Sequence, residues 1–446
     1  MRNLSKQSLV SKLKLISLLF VITFSSSAIA KDMNLLTLVE KNLLVRNVAS
    51  AIRENYFDED KANKISKELL EKYEGGEIAK SFKHQGLADE VNQYLIKADR
   101  HFKLIYSAKT EKTKRQMRRV VRSSESALLR RNFGFAEINI LTGNVGYIKL
   151  NEFADIAGAE RVATAALNFI ANTEAVIFDL RKNHGGYPSM VQFLISHFIA
   201  PGGKTLINTF VSRRADSPRE LWSLKQHPSG NRIRVPLYVL TSANTGSAAE
   251  AFPYHLKAMR RATIIGEKTY GAGNPGRSFP IEGTDYSLFI STGGARNPIT
   301  GTNWEGVGAI PNISVAANSA LDVALLEIYD KLYLETNDPT QNKALTWAAE
   351  LLSNKLNPIR LDESEMEKYV GEFGVRKIFI KNSELKYIRK GSQMLTLVPL
   401  GNHRFTFLEN QDLRIIITIA KSGIPESLSL RLPNGQVIDS ENDLKS

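Results

Sequence analysis

The sequence predicts an α/β protein: a core of alternating strands and helices, preceded by a helical region and followed by a small all-β unit. Three patterns predict it. Two apolar runs, Val176-Ile177-Phe178-Asp179-Leu180 and Val235-Pro236-Leu237-Tyr238-Val239-Leu240, each end in a Gly-containing turn and lead into a helix-like stretch, as buried strands of βα units do. Apolar residues recur near helical period between Asp32 and Ala98. From Tyr369 onward, short alternating segments are separated by Asn, Gly and Ser, the pattern of hairpin-linked strands.

In chain order, residues 1–30 read as a signal peptide. Arg2, Lys6, Lys12 and Lys14 form a basic start, Leu15 to Ile22 an apolar run, and Ala28-Ile29-Ala30 a small-residue cleavage site. No later segment is apolar for the length that a bilayer crossing needs. Residues 31–105 are expected to form a helical domain. Leu35, Leu38, Val39, Leu43 and Val48 mark one helix, Ile65, Leu69 and Leu70 a second, and Leu87, Val91, Tyr94 and Leu95 a third, with breaks at Asp58-Glu59-Asp60 and Gly75-Gly76. Residues 106–131 form a basic connector containing Lys112, Lys114, Arg115, Arg118, Arg119, Arg122, Arg130 and Arg131. The core is expected over 132–335, closed by a helix through Leu321, Leu325, Ile328 and Leu332. A linker with a helix fills 336–368. Residues 369–446 read as a meander of about six strands, a small barrel or sandwich in which no residue suggests chemistry.

The candidate chemistry lies at the two βα turns. Ser247, in Thr245-Gly246-Ser247-Ala248-Ala249-Glu250, falls where a buried strand turns into a helix. The unpaired N–H groups and dipole of a helix start favour a developing negative charge there. A plain helix cap is the competing reading, because serine is a common cap. After the other strand comes Asp179-Leu180-Arg181-Lys182-Asn183-His184-Gly185-Gly186. Paired glycines allow positive φ and a close backbone approach, so their N–H groups can converge on an oxyanion; an ordinary βα turn would look the same.

The two turns together resemble the tail-specific (C-terminal-processing) serine protease superfamily, and the resemblance runs from about Asp32 to about Leu334. Gly146-Tyr147-Ile148-Lys149-Leu150-Asn151-Glu152-Phe153 resembles that superfamily's first core strand. Arg261-Ala262-Thr263-Ile264-Ile265-Gly266-Glu267-Lys268-Thr269 resembles the strand after the serine helix, and Gly308-Ala309-Ile310-Pro311-Asn312 its late turn. The resemblance implies a serine peptidase whose core is a ClpP/crotonase-like ββα arrangement, over 132–335. One departure selects the branch. The processing proteases pair the serine with a lysine in a Gly-Lys-Gly setting, and here that place reads Tyr270-Gly271-Ala272-Gly273, with Ala272 at the lysine position. Lys268 lies on the wrong side of the turn and reads as a solvated charge.

Without lysine, Ser247 needs another base, because an unperturbed hydroxyl is a poor nucleophile near neutral pH. The chain has seven histidines. His84 and His403 fall in polar stretches, His197 on an apolar helix, His227 in a loop, and His255 two turns along the serine's own helix. His184 is a rival because it lies within the glycine turn. His101, in Ala98-Asp99-Arg100-His101-Phe102, is favoured by resemblance to the lysine-free branch, which includes the tricorn core protease and the interphotoreceptor retinoid-binding-protein-like hydrolases. That branch also implies a glutamate before the late Gly turn, here Glu305. The implied set is Ser247, His101 and Glu305, with backbone N–H groups of Gly185 or Gly186 and of Ala248 holding the oxyanion. Glu305 would orient the site through a bridging hydroxyl or water. Tricorn-type sets carry a serine beside the histidine, where this chain has Arg100.

Composition narrows the partners. Cysteine is absent, so disulfides, thiolate metal sites and a lipidated cysteine are excluded, and no cofactor or metal is called for. The expected location is the periplasm of a Gram-negative bacterium, or outside the cell, after cleavage near Ala30. The net charge of +13 fits nucleic acid in sign, but no interleaved aromatics or known binding module accompany it. Residues 109–131 read as a solvated connector, or as a segment attracted to an anionic envelope surface or an acidic peptide. Too few residues separate His101 from Phe133 to hold the PDZ module of the processing proteases. The expected substrate is a peptide or partly unfolded protein. The alternatives are a carrier of hydrophobic ligands and a hydrolase of non-peptide acyl bonds.

Overall fold

The helical period of the N-terminal region builds three helices, α1 (Leu38–Asn55), α2 (Glu59–Glu74) and α3 (His84–Leu95). The computed structural model of the protein describes residues 35–107, 126–213, 215, 217–432 and 435–441; the signal segment 1–30 and residues 108–125 of the basic connector lie outside them. Thr37 and Glu40 start α1 with a reciprocal capping box, and Asp58 caps α2 by accepting from the N–H of Lys61, so each helix begins where a side chain can satisfy its unpaired donors. Among the described residues no helix is long and apolar enough to cross a membrane.

The strands and helices that follow are β1 (Lys103–Tyr106), β2 (Phe135–Leu141), β3 (Val145–Leu150), α4 (Ile156–Phe169), β4 (Ala175–Asp179), α5 (Pro188–Ser196), β5 (Leu206–Val211) and β6 (Arg219–Trp222). Then come β7 (Leu237–Thr241), α6 (Ala248–Ala258), β8 (Thr263–Gly266), β9 (Gly276–Pro280), β10 (Tyr286–Ser291), β11 (Gly294–Arg296) and β12 (Ile313–Ser314). The main sheet has the order β12-β8-β7-β4-β3-β2, and the pairs from β3 to β12 are parallel. Every residue of β4 and β7 is buried, which explains their unbroken apolar runs. Two three-stranded sheets, β1-β10-β9 and β11-β5-β6, complete this part.

The described residues form two compact units, which differ from the expected domains. The first unit comprises residues up to Ile140 together with Val145–Ala317. The N-terminal helices are not a separate domain within it. Their apolar faces (Leu44, Val48, Ile52, Leu69, Leu87, Val91) share one core with Phe102, Leu104, Leu288 and Ile290, because short amphipathic helices need a partner surface to bury. The second unit takes Leu141–Asn144 and the residues from Asn318 onward, so the core ends at 317 rather than 335. Helix α7 (Ala320–Glu335) belongs here with α8 (Pro339–Leu356). Tyr329, Leu332 and Leu345 close on the turn at Gly143, which explains why that turn joins the same unit. After the short helix α9 (Glu363–Glu367), eight antiparallel strands follow, where about six were expected. They run from β13 (Gly371–Phe373) to β20 (Val437–Glu441), in sequence order, as a nearly closed barrel.

Candidate active site

Parallel pairing of β4 with β7 sets Asp179 beside Leu240, so the turns leaving both strands emerge together at the carboxyl edge of the sheet, where α/β folds place ligands. Side chains lock the turns to each other. The hydroxyl of Thr245 donates to the Leu180 carbonyl at 2.9 Å and that of Ser242 to the Arg181 carbonyl at 2.6 Å, while Gly246 N–H donates to the Asn183 carbonyl at 3.1 Å. The Asp179–Arg181 pair is part of this frame. Asp179 is buried, accepts from Tyr147 Oη at 2.7 Å and from Arg181 Nη2 at 2.6 Å, and its carboxyl is held below the usual range by those donors despite burial. These two motif residues support the turn rather than face the site.

Ser247 stands directly before α6 with φ 54° and ψ −122°, a left-handed conformation that is uncommon for a residue bearing a Cβ. Its Oγ lies 3.2 Å from Nε2 of His101, a residue 146 positions earlier in the chain. His101 sits between α3 and β1, with its ring against Phe289 of β10. Burial holds its pKa below the usual histidine value, and the Asp99 carboxylate pulls it back upward. His184 is exposed and contacts the Asn244 carbonyl at 3.1 Å, although it faces the same opening as Ser247.

The two glycines differ. A Cβ on Gly185 would lie 2.8 Å from the Ser247 Cβ, and one on Gly186 would lie 2.1 Å from the Phe153 carbonyl oxygen. Gly185 donates its N–H to Asn183 Oδ1 at 2.9 Å, within its own turn. Gly186 is exposed and, with Ala248, lines an apolar cavity of about 310 Å³ together with Pro188, Val191, Phe210 and Trp304. Ser247 and His101 also line it. They also border a second opening of about 590 Å³, lined by Arg100, Lys103, His184 and Tyr270.

Two carboxylates, Glu250 and the half-buried Glu305, hold the surroundings. Glu250 is fully buried, with one oxygen accepting from the N–H groups of Ser247 and Ala272, both at 2.8 Å. The other accepts from Gly271 N–H at 2.6 Å and from the Thr269 hydroxyl. Burial pushes its pKa up to about 7 against the pull of these donors. Ala272, where the resemblance places a lysine, is buried and also receives Trp304 Nε1 on its carbonyl at 2.9 Å. Glu305 accepts from Arg100 N–H at 3.0 Å on one oxygen, and from Gly273 N–H (2.6 Å) and Asn274 N–H (3.2 Å) on the other. Its pKa is raised by burial and by the neighbouring Asp99.

Sequence reasoning missed Asp99 and treated Glu250 only as a motif letter. Asp99, His101 and Glu305 bring one ring nitrogen and two carboxylate oxygens within 4.8 Å of one another. They are the residues that could gather around a cation. Each of the four carboxylate oxygens already accepts from an N–H or O–H donor of the protein.

Residues 144–315 match the model of peptidase family S41. A carboxy-terminal-processing protease of Bartonella bacilliformis is 26% identical over 179 residues, covering 39% of this chain and 39% of that protein. The chloroplastic carboxyl-terminal-processing peptidase 2 of Arabidopsis thaliana is 34% identical over 135 residues, covering 29% of this chain and 24% of that protein. Among solved structures, the photosystem II D1 C-terminal processing protease aligns with a TM-score of 0.38 and 13% identity over 64% of this chain and 95% of that one. The matches thus span less than half the length of both curated relatives. Residues 144–315, which hold Ser247, both turns and Glu305, are thus the part of the chain that matches peptidase family S41, and the carboxy-terminal-processing proteases are similar to this chain over part of its length.

Proposed function

We propose that the protein is a serine peptidase acting on peptides or partly unfolded proteins, built on a ClpP/crotonase-like core and working without a lysine partner. The observation that carries this reading is the 3.2 Å approach of His101 Nε2 to Ser247 Oγ beside an apolar cavity, within hydrogen-bond reach of a nucleophile and its base. As Oγ bonds to the substrate carbonyl carbon, its proton passes to His101 Nε2 and the carbonyl electron pair moves onto oxygen. The N–H groups of Gly186 and Ala248 receive that oxyanion. His101 then gives its proton to the leaving nitrogen as the C–N bond breaks, and water releases the acyl group by the same steps. Glu305 orients the base. Substrate is held in the openings beside Ser247 rather than by a PDZ module.

The protein is proposed to be exported, with cleavage near Ala30, to the periplasm or beyond; its basic segment 109–131 adds attraction to an anionic envelope surface. The apolar lining of the cavity suits an acyl chain as well as a peptide side chain, so ester hydrolysis is the second reading. Fluorophosphonate labelling and cleavage of casein and of p-nitrophenyl esters, wild type against Ser247→Ala, test both. Labelling and casein cleavage that vanish in the variant support the peptidase. Ester turnover alone selects the second reading, and labelling unchanged by Ser247→Ala rejects both.

A further inference from the structure

Asp99 is 1% exposed and is surrounded by donors. Its Oδ1 accepts from the backbone N–H of His101 at 2.8 Å, and its Oδ2 from Tyr56 Oη at 3.0 Å and Asn274 Nδ2 at 3.1 Å. In every one of these contacts the carboxylate accepts. Tyr56, at the C-terminal end of α1, is 1% exposed and stacks on Phe102 at 5.5 Å, so the packing of the helical region fixes where its hydroxyl points. Asn274 reaches both carboxylates, donating its side chain to Asp99 and its backbone N–H to Glu305. Nδ1 of His101 is buried and has no protein partner among the described residues. Nothing bonded directly to the ring therefore steadies it from that side, yet both carboxylates lie within 4.8 Å of a ring nitrogen.

We propose that Asp99 is a positioning residue for His101: with Glu305 it forms a two-carboxylate cradle that fixes the turn carrying the imidazole and favours its charged form while it holds the Ser247 proton, and Tyr56 and Asn274 hold Asp99 in place. The proposal rests on the reading of His101 as the base. A charge that appears on the ring during reaction is stabilised by negative groups already in position, at no cost of reorganisation at that moment. The direct backbone bond from Asp99 to His101 also sets the direction of the turn. The arrangement gives the helical region a part in the chemistry, since the Tyr56 hydroxyl comes from α1.

The groups facing His101 can be named from each element around it. Asp99 and Arg100 lie on its own turn, Tyr56 comes from α1 through Asp99, and Glu305 comes from the loop before β12. Phe289 of β10 carries no charge, the Arg100 guanidinium lies over the Tyr270 ring at 5.5 Å, and His184 stands across the opening. An opposite charge at short range favours the protonated ring. Removing the Asp99 charge therefore lowers the pH at which His101 takes up a proton, and the acid limb of kcat/KM moves down.

The test is the pH profile of peptide cleavage by full-length Asp99→Asn, Tyr56→Phe and His101→Ala, with thermal melts as the folding check. Asp99→Asn is expected to lose about 10- to 100-fold in kcat/KM, mainly in kcat, with the acid limb displaced downward by about one unit. Tyr56→Phe is expected to lose about 2- to 10-fold and to shift the limb upward, because Asp99 then offers more of its charge to the ring. A folded Asp99→Asn with wild-type kcat/KM, or one that loses turnover while the limb stays in place, overturns the proposal. If Asp99→Asn does not fold, Tyr56→Phe decides: an unmoved limb at full turnover overturns it. Full turnover in His101→Ala instead removes the base assignment on which the proposal rests, a result distinct from the other outcomes.

Discussion

Replacing Gly185 by alanine places one methyl group between the two turns of the site. The residue has φ +118°, and the added Cβ would lie 2.8 Å from Ser247 Cβ, 2.9 Å from the Gly246 carbonyl oxygen and 3.2 Å from Ala248 N. Two costs separate. An L-residue held at positive φ costs about 1–2 kcal/mol. Carbon atoms pack at about 3.5–4.0 Å, so Ser247 and the glycine turn must part by more than half an ångström, an overpacking cost of about 1–3 kcal/mol. The sum is about 2–5 kcal/mol. A displacement of that size at the nucleophile should also lower turnover by at least about tenfold. Gly202 supplies the control, since it has φ +102° with nothing within 4 Å of its Cβ position; Gly202→Ala should show the φ cost of about 1–2 kcal/mol alone and keep full activity. Urea denaturation gives the stabilities, and the rate of fluorophosphonate labelling gives the effect at Ser247. If Gly185→Ala is no less stable than Gly202→Ala and labels at the wild-type rate, the close approach of the two turns is not as described.

His101→Ala should lower turnover nearly as far as Ser247→Ala, with the double variant little worse than either, because residues that act as a unit are not additive; His184→Ala should cost much less, and the reverse order in peptide cleavage would transfer the base role to His184. Ala272→Lys should bring no gain in kcat/KM, because its position is buried and its backbone is tied to Glu250 and Trp304; a large gain would show a decayed Ser/Lys site. Glu305→Gln should fall between wild type and His101→Ala in the same assay, since it removes the charge and keeps the shape. Burial lowers the pKa of His255 to about 3, below its unfolded value, so its contribution is complete above the unfolded pKa of 6.5 and is lost as pH falls toward 3. Stability should drop by about 3–5 kcal/mol over that window from this group, and urea denaturation of His255→Gln at pH 7 and pH 4 should show a correspondingly smaller drop.

Local patterns made the frame legible. The unbroken apolar runs of β4 and β7 marked strands buried on both faces, the glycine and serine turns marked their carboxyl ends, and the period of α1 to α3 marked helices. Each of these signals is carried by neighbours within a few residues, so the chain alone expresses them. That alanine stands at position 272, where the resemblance implies a lysine, could also be read directly.

What depended on distant contacts could not be read in this way. Helix α7 shows the same apolar period whether it closes the core or joins the second unit, and packing around Gly143 decides between them. Gly185 and Gly186 are identical letters, and only the structure shows that the N–H of Gly185 bonds to Asn183 Oδ1 within its own turn. Asp99 carries no motif of its own; its surroundings come from α1, from the turn of His101 and from Asn274. The sequence by itself determined which segments become strands, helices and turns, and which residue types stand at the turns. Tertiary structure alone decided which of those residues meet, because Ser247 and His101 approach only when the helical region and β10 bury a common apolar core.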